Sequence, residues 1–113
     1  MAWRVKEEDQ AGHIAVVEVD GVIDSTNVGE FFVFINGVFK RGINRIVLDL
    51  GSASYLSSGG LSVIIDAYKR ALSEGGKLVI AGASDMLLDL FDVVQFRKII
   101  EFYDTLEDAL KAI

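Results

Sequence analysis

No cysteine and no proline occur anywhere in this chain, and His13 is its one histidine. The missing thiols exclude disulfides, thiolate metal ligands and cysteine nucleophiles together. A single imidazole with no second His or Cys is a poor ligand set, so His13, at the start of a strand, reads as structural. Asp66, Asp85, Asp89 and Asp92 are helical-face charges that serve solubility, and no metal is expected from them. Without proline and with only short connections, the chain shows no linker, and 113 residues suit one hydrophobic core rather than two. A single domain over residues 1–113 is expected. No apolar run approaches the roughly 18 residues of a membrane span. Met1 to Asp9 carries Arg4, Lys6, Glu7, Glu8 and Asp9, and so lacks the apolar segment of a secretory signal. Basic residues are also scarce, with 11 Lys and Arg against 17 Asp and Glu, a formal charge of −6. That balance opposes phosphate backbones and anionic lipid surfaces. A cytoplasmic protein that binds no nucleic acid and does not insert into membranes is implied.

What is present is a core. The chain is 51% hydrophobic and 25% charged, a globular composition. Trp3-Arg4-Val5-Lys6 alternates, Gln10-Ala11-Gly12 signals a turn, and His13 to Val19 is rich in Ile and Val, which predicts an N-terminal β-hairpin. Asp20-Gly21 reads as a turn, followed by Val22-Ile23 and the turn and cap cluster Asp24-Ser25-Thr26-Asn27. A helix from there to about Lys40 places Val28, Phe31, Phe32, Ile35, Val38 and Phe39 in one buried arc. Ile46 to Leu50 reads as a central parallel strand covered on both sides, and Gly51 to Ser57 as a loop. From Ser58, Leu61, Ile64, Ile65, Tyr68 and Leu72 recur at helical spacing up to Gly75-Gly76. A strand over Lys77 to Ala81, a Ser84-Asp85 cap, a helix from Met86 to Phe91 and a strand from Ile99 to Tyr103 follow. Asp104-Thr105 caps a last helix ending at Ile113, with Glu107 and Asp108 complementing its dipole. The class is α/β: a mixed, mostly parallel sheet of four to five strands with about four helices.

In such sheets, binding usually occurs at loops leaving the carboxyl ends of the strands. Three loops are expected to converge there: Asp20 and Asp24; Ser54, Ser57, Ser58, Gly59 and Gly60; and Ser84 with Asp85. Ser57-Ser58-Gly59-Gly60 enters a helix whose free amides favour an acceptor or anion, although locally N-capping by Ser57 or Ser58, with glycine for a tight approach, is the stronger reading. There is no Walker A sequence, no G-x-G-x-x-G and no G-x-S-x-G, so neither an enzyme nor a cofactor is expected.

Four segments together resemble the STAS domain of bacterial anti-sigma factor antagonists and sulfate-transporter tails. They are Val19-Asp20-Gly21-Val22-Ile23-Asp24, Ile46-Val47-Leu48-Asp49-Leu50, Tyr55-Leu56-Ser57-Ser58-Gly59-Gly60-Leu61 and Tyr103-Asp104-Thr105-Leu106-Glu107-Asp108-Ala109-Leu110. The resemblance implies a STAS-like fold and a protein partner, an anti-sigma factor that is also a histidine-kinase-like ATPase and serine kinase. It implies contacts through Asp24, Ser57, Ser58, Gly59, Gly60 and Ser62. The family's serine loop reads Asp-Ser-Ser-Gly-Leu, with the second serine phosphorylated. Aligned on Gly60-Leu61, this chain has Gly59 at that acceptor, leaving Ser58 and Ser57 as candidate phosphoacceptors. A phosphate there would add roughly −1.5 to −2 charges and repel a partner docked beside Asp24. Two alternatives stand beside an antagonist: an unphosphorylated adaptor in a regulatory or transporter-associated complex, and a module binding a nucleotide or lipid phosphate. Val33 and Phe34 lie off the buried arc of the first helix, as a second interface or homodimer patch, or with Phe34 packed at the rim of the core.

Overall fold

The computed structural model describes residues 3–9 and 11–113. Strand β1 (Trp3–Glu8) turns back into β2 (Ile14–Ile23), the expected hairpin. Of its Gln10-Ala11-Gly12 turn, Gln10 lies outside the described residues. Gly12 takes φ +73°, and Asp9 Oδ1 accepts the His13 and Ile14 amides at 2.9 and 3.0 Å. The chain continues through α1 (Val28–Lys40), β3 (Arg45–Leu56), α2 (Ser58–Ser73), β4 (Lys77–Ala81), α3 (Asp85–Val93), a 3-10 turn at Phe96–Lys98, β5 (Phe102–Tyr103) and α4 (Leu106–Ala112). The strands lie in sequence order, with β1 antiparallel to β2 and all later neighbours parallel.

Three crossovers advancing in one direction with one hand must put their helices on one face. Accordingly Phe31, Ile35 and Val38 of α1, Leu61 and Ile64 of α2 and Leu87 and Phe91 of α3 pack with Ile46, Leu48 and Leu50. Helix α4 folds back on the other face, where Ala109 meets Val16, Val47, Val79 and Ala81. This two-sided cover explains the consecutive apolar residues Ile46, Val47 and Leu48 of β3. Beyond the reach of α4, that second face turns polar with the strand period. Glu18 follows Val16 and Asp49 follows Val47, and Lys6 bridges them at 3.6 and 3.4 Å, with Arg4 on Glu18 at 3.2 Å. Among the described residues, no helix is long and apolar enough to cross a membrane.

The structure departs from the sequence expectation at several points. Asp20-Gly21 does not end β2: the strand bulges there, with Gly21 at φ +82° and register shifts on either side, and runs on to Ile23. Nor is 51–57 a loop, since β3 extends to Leu56 by pairing with that continuation, Val22 opposite Tyr55 and Ile23 opposite Leu56. Small polar residues at the exposed end of a strand look like a loop in sequence because no core face marks their alternation. The last strand is also shorter than Ile99–Tyr103. The Ile99 and Ile100 amides bond instead to the Phe96 carbonyl, at 2.9 and 2.8 Å, so only Phe102 and Tyr103 pair with β4.

Two apolar positions placed inside are outside: Phe32 is 48% and Leu72 50% exposed. Phe32 sits on the flank of the α1 stripe over the narrow cleft with α2, and the buried α2 arc runs instead through Val63, Ala67 and Ala71. Of the Val33 and Phe34 pair, Val33 is exposed, whereas Phe34 is half-buried with its ring 6.4 Å from that of Trp3. Phe34 therefore packs at the rim of the core.

Two glycines predict opposite responses to the same change. At Gly76 a Cβ would fall 1.8 Å from the Asn44 carbonyl oxygen, where Lys77 N–H already bonds to that oxygen at 3.0 Å. Gly76→Ala is expected to lower stability by about 2–4 kcal/mol, because two backbones must separate. Gly37 lies inside α1 with open space around its missing Cβ. Gly37→Ala is expected to raise stability by about 0.5–1 kcal/mol, and urea unfolding of both variants checks the two signs.

Candidate functional site

Among the described residues, no buried residue is polar or charged, so whatever chemistry the protein performs lies on its surface. The two turns that follow β2 and β3 form one rim there. Ser57 N–H donates to the Ile23 carbonyl at 2.9 Å, which ties the start of α2 to the end of β2. Gly60 packs so closely on β2 that a Cβ would come 3.1 Å from Ile23 Cγ2, and one on Gly59 would lie 3.4 Å from Val28 Cγ2. The β2–α1 and β3–α2 turns are thus side by side.

Within the first turn, Asp24 Oδ1 accepts the Thr26 amide at 2.9 Å and the Thr26 hydroxyl at 2.5 Å. The Thr26 hydroxyl, and then its amide, hold the Asp24 carboxyl below its ordinary range, so it is ionised at neutral pH. Asn27 completes the turn: its Oδ1 accepts the Asp24 amide and its Nδ2 donates to the Val22 carbonyl, both at 2.9 Å. This closed turn delays α1, which begins at Val28 rather than within the Asp24 cluster.

In the second turn Ser57 is the N-cap of α2, its Oγ accepting the Gly60 amide at 3.2 Å. That hydroxyl is therefore engaged within the fold, whereas Ser58, the first residue of the helix, is exposed. Ser62, one turn further, is exposed as well, and with Asp66 and Lys69 it continues the solvent face of α2. Gly59 and Gly60 differ in kind. At 60 a Cβ would push Ile23 aside by a few tenths of an ångström, while the distance at 59 is ordinary contact that a serine tolerates. The absence of a hydroxyl at 59 is therefore not a demand of the packing.

The structure gathers Asp24, Ser57, Ser58, Gly59, Gly60 and Ser62 at one end of the molecule, but it does not bring the third expected loop there. Gly82, which ends β4, packs against Gly51, its Cβ position 3.2 Å from Gly51 Cα. Ser57 lies six residues further along β3, about 20 Å of extended chain, so Ser84 and Asp85 leave the sheet well below the rim. Ser84 serves as the N-cap of α3, its Oγ accepting the Leu87 amide at 3.2 Å. Two rim residues went unnoticed in the sequence: Val22 and Tyr55, opposite one another in the register and 40% and 44% exposed. Strand alternation carried the signal, because with Ile23 and Leu56 facing the helices their predecessors must face away.

Known proteins share this fold. A protein from Paenibacillus polymyxa named an anti-sigma F factor antagonist is 31% identical over 111 residues, spanning 97% of this chain and 94% of its own. The crystal structure of an anti-sigma factor antagonist from Mycobacterium paratuberculosis superposes with a TM-score of 0.84 at 26% identity, covering 98% of this chain and 93% of the other. The anti-sigma factor antagonist SpoIIAA in its unphosphorylated form shares the fold, with a TM-score of 0.76 at 16% identity over 98% of this chain and 96% of its own. The STAS domain family model matches residues 5–109, and with the five-stranded sheet and the paired turns in place, the chain belongs to the STAS domain family of anti-sigma factor antagonists.

Proposed function

We propose that this chain acts by binding, not by catalysis. Its partner is an anti-sigma factor of the histidine-kinase-like ATPase type in the cytoplasm, gripped through the joined turns and the outer face of α2. The Ser57–Ile23 backbone bond carries this reading, because it makes the Asp24 turn and the α2 N-terminus one continuous surface. That surface combines an ionised carboxylate, the hydroxyls of Ser58 and Ser62 and the exposed Val22 and Tyr55 side chains, a polar rim with apolar anchors. The P. polymyxa relative, named for antagonism of an anti-sigma F factor, supports the partner class.

Gly59 favours a second reading of the same site, an adaptor that binds without a phosphorylation switch. If a switch operates, Ser58 is the acceptor, since its side chain is exposed and Ser57 Oγ is held by the Gly60 amide. The same contact weighs against a phosphate-ligand module, because Ser57 already fills part of the anion position at the helix start.

A charge at residue 58 separates folding from binding. An acid at the first position of α2 complements the helix dipole, so Ser58→Asp is expected to raise stability by about 0.3–1 kcal/mol. Against a partner docked beside Asp24, the same charge is expected to weaken affinity about tenfold or more, through repulsion and desolvation. Urea unfolding of the free protein and calorimetric titration with an anti-sigma factor recovered by co-purification on the wild-type chain measure the two effects. Equal affinity for both proteins would remove residue 58 from the interface. Incubation with that partner and ATP, read by intact mass, decides between Ser58 phosphorylation and an unmodified adaptor.

A further inference from the structure

Two surfaces at opposite edges of the sheet remain outside this site. The first is a groove on the face that α4 covers only in part. Helix α4 lies over β3, β4 and β5, which leaves the end of β1 and the start of β2 open beside it. Ile14 and Val16 form the floor there, Leu110 and Ile113 one wall, and Glu7, Glu8 and Asp9 the other, around a cavity of about 310 Å³. Of the three acids, Glu8 is paired with Arg41, while Glu7 forms no ion pair among the described residues. The groove is apolar at its base and anionic at its rim.

The second surface is the turn leaving α3. Val93, Val94 and Ile99 are 80%, 41% and 51% exposed within seven residues of chain. Phe96 anchors the turn inward, its ring 5.9 Å from that of Phe91, which in turn meets Phe102 of the edge strand at 4.9 Å. Arg97 and Lys98 stand among the exposed aliphatics. Arg97 is paired with Asp92 at 3.2 Å, and Lys98 forms no ion pair among the described residues. In a chain of net charge −6 this is a local cationic and apolar projection.

We propose that the turn spanning residues 93–99 of one molecule seats in the acid-rimmed groove of a second copy, joining the two head to tail. The aliphatic side chains of the turn match the Ile14, Val16 and Leu110 surface, and Lys98 and Arg97 meet the carboxylates of Glu7 and Asp9. Groove and turn belong to opposite edges of the sheet, β1 and β5, so the contact is heterologous. It links molecules into an open row rather than a two-fold dimer. The groove lies at the start of β2, and the Asp24 and Ser58 rim at its other end, so association leaves that rim free. A contact of this size is weak, and its ionic part is screened by salt.

Sedimentation equilibrium of the wild-type chain tests it. The mean mass is expected to rise with protein concentration in low salt and to return to the monomer value in high salt. Val93→Lys spoils the turn and Leu110→Lys the groove, both at exposed positions that leave the core intact. Each variant alone is expected to remain monomeric. An equimolar mixture is expected to reach about twice the monomer mass and go no further, since one intact turn and one intact groove remain. Circular dichroism confirms that both variants are folded. A wild type that stays monomeric, a mixture that does not pair, or self-association abolished by Val33→Lys but not by Val93→Lys overturns the proposal. So does sedimentation of the monomer with anionic phosphatidylserine vesicles through Val93, which would assign the turn to lipid.

Discussion

The hydrogen bond from Ser57 N–H to the Ile23 carbonyl is the last rung of a parallel ribbon that β2 and β3 continue after β4 has stopped. Without that continuation the β2–α1 and β3–α2 turns would leave the sheet at the level of Gly51 and Gly82. With it, they stand clear of the body on a two-stranded support. A two-stranded ribbon is weak on its own. Here it holds because Ile23 and Leu56 still face the helical layer, and the first turn of α2 packs on Ile23 through Gly60. The placement of Asp24 and Ser58 thus rests on backbone pairing and one close contact, not on an interaction between the two side chains.

This construction leaves the rim rigid and its side chains uncommitted to one another. Asp24 is held by Thr26 and Asn27, Ser57 by the Gly60 amide, and Ser58 by nothing but the helix it opens. A surface of that kind presents a set pattern of charge and hydroxyl at one end of the molecule. Charge sensitivity is built in as well. The α2 N-terminus favours a negative group within the domain, and the Asp24 carboxylate of the adjoining turn sets a like charge beside it.

The order of elements, the hairpin, the central strand and the capped α2 were legible from the residues, because each has a local cause. Ile46, Val47 and Leu48 are consecutively apolar since both faces are covered there, and Ser57 caps its helix through its own side chain. The ends of strands were not legible. Ser52 to Leu56 pairs only with a bulged continuation of β2, and with Ala53 and Leu56 inside and Ser52, Ser54 and Tyr55 outside it breaks the two-residue period that marks a strand. The same blindness hid Val22 and Tyr55, whose outward direction follows only once Ile23 and Leu56 are known to face inward. Phe32 lies outside and Phe34 at the rim of the core for a related reason. Helical spacing gives the centre of a buried stripe, but its flanks are decided by what stands beside the helix, here Trp3 on one side and the α2 cleft on the other.

The sequence by itself therefore determined the class of fold, the hairpin and crossover order and the two polar turns. These follow from periodicity, capping chemistry and residue identity, which act over a few neighbouring residues. Tertiary structure alone decided that two of the three expected loops share a rim, that Ser58 rather than Ser57 is free, and which apolar side chains remain outside. Those outcomes depend on where β4 ends relative to β3 and on which face of the sheet α4 covers. They arise from contacts between segments far apart in the chain, which no local pattern records.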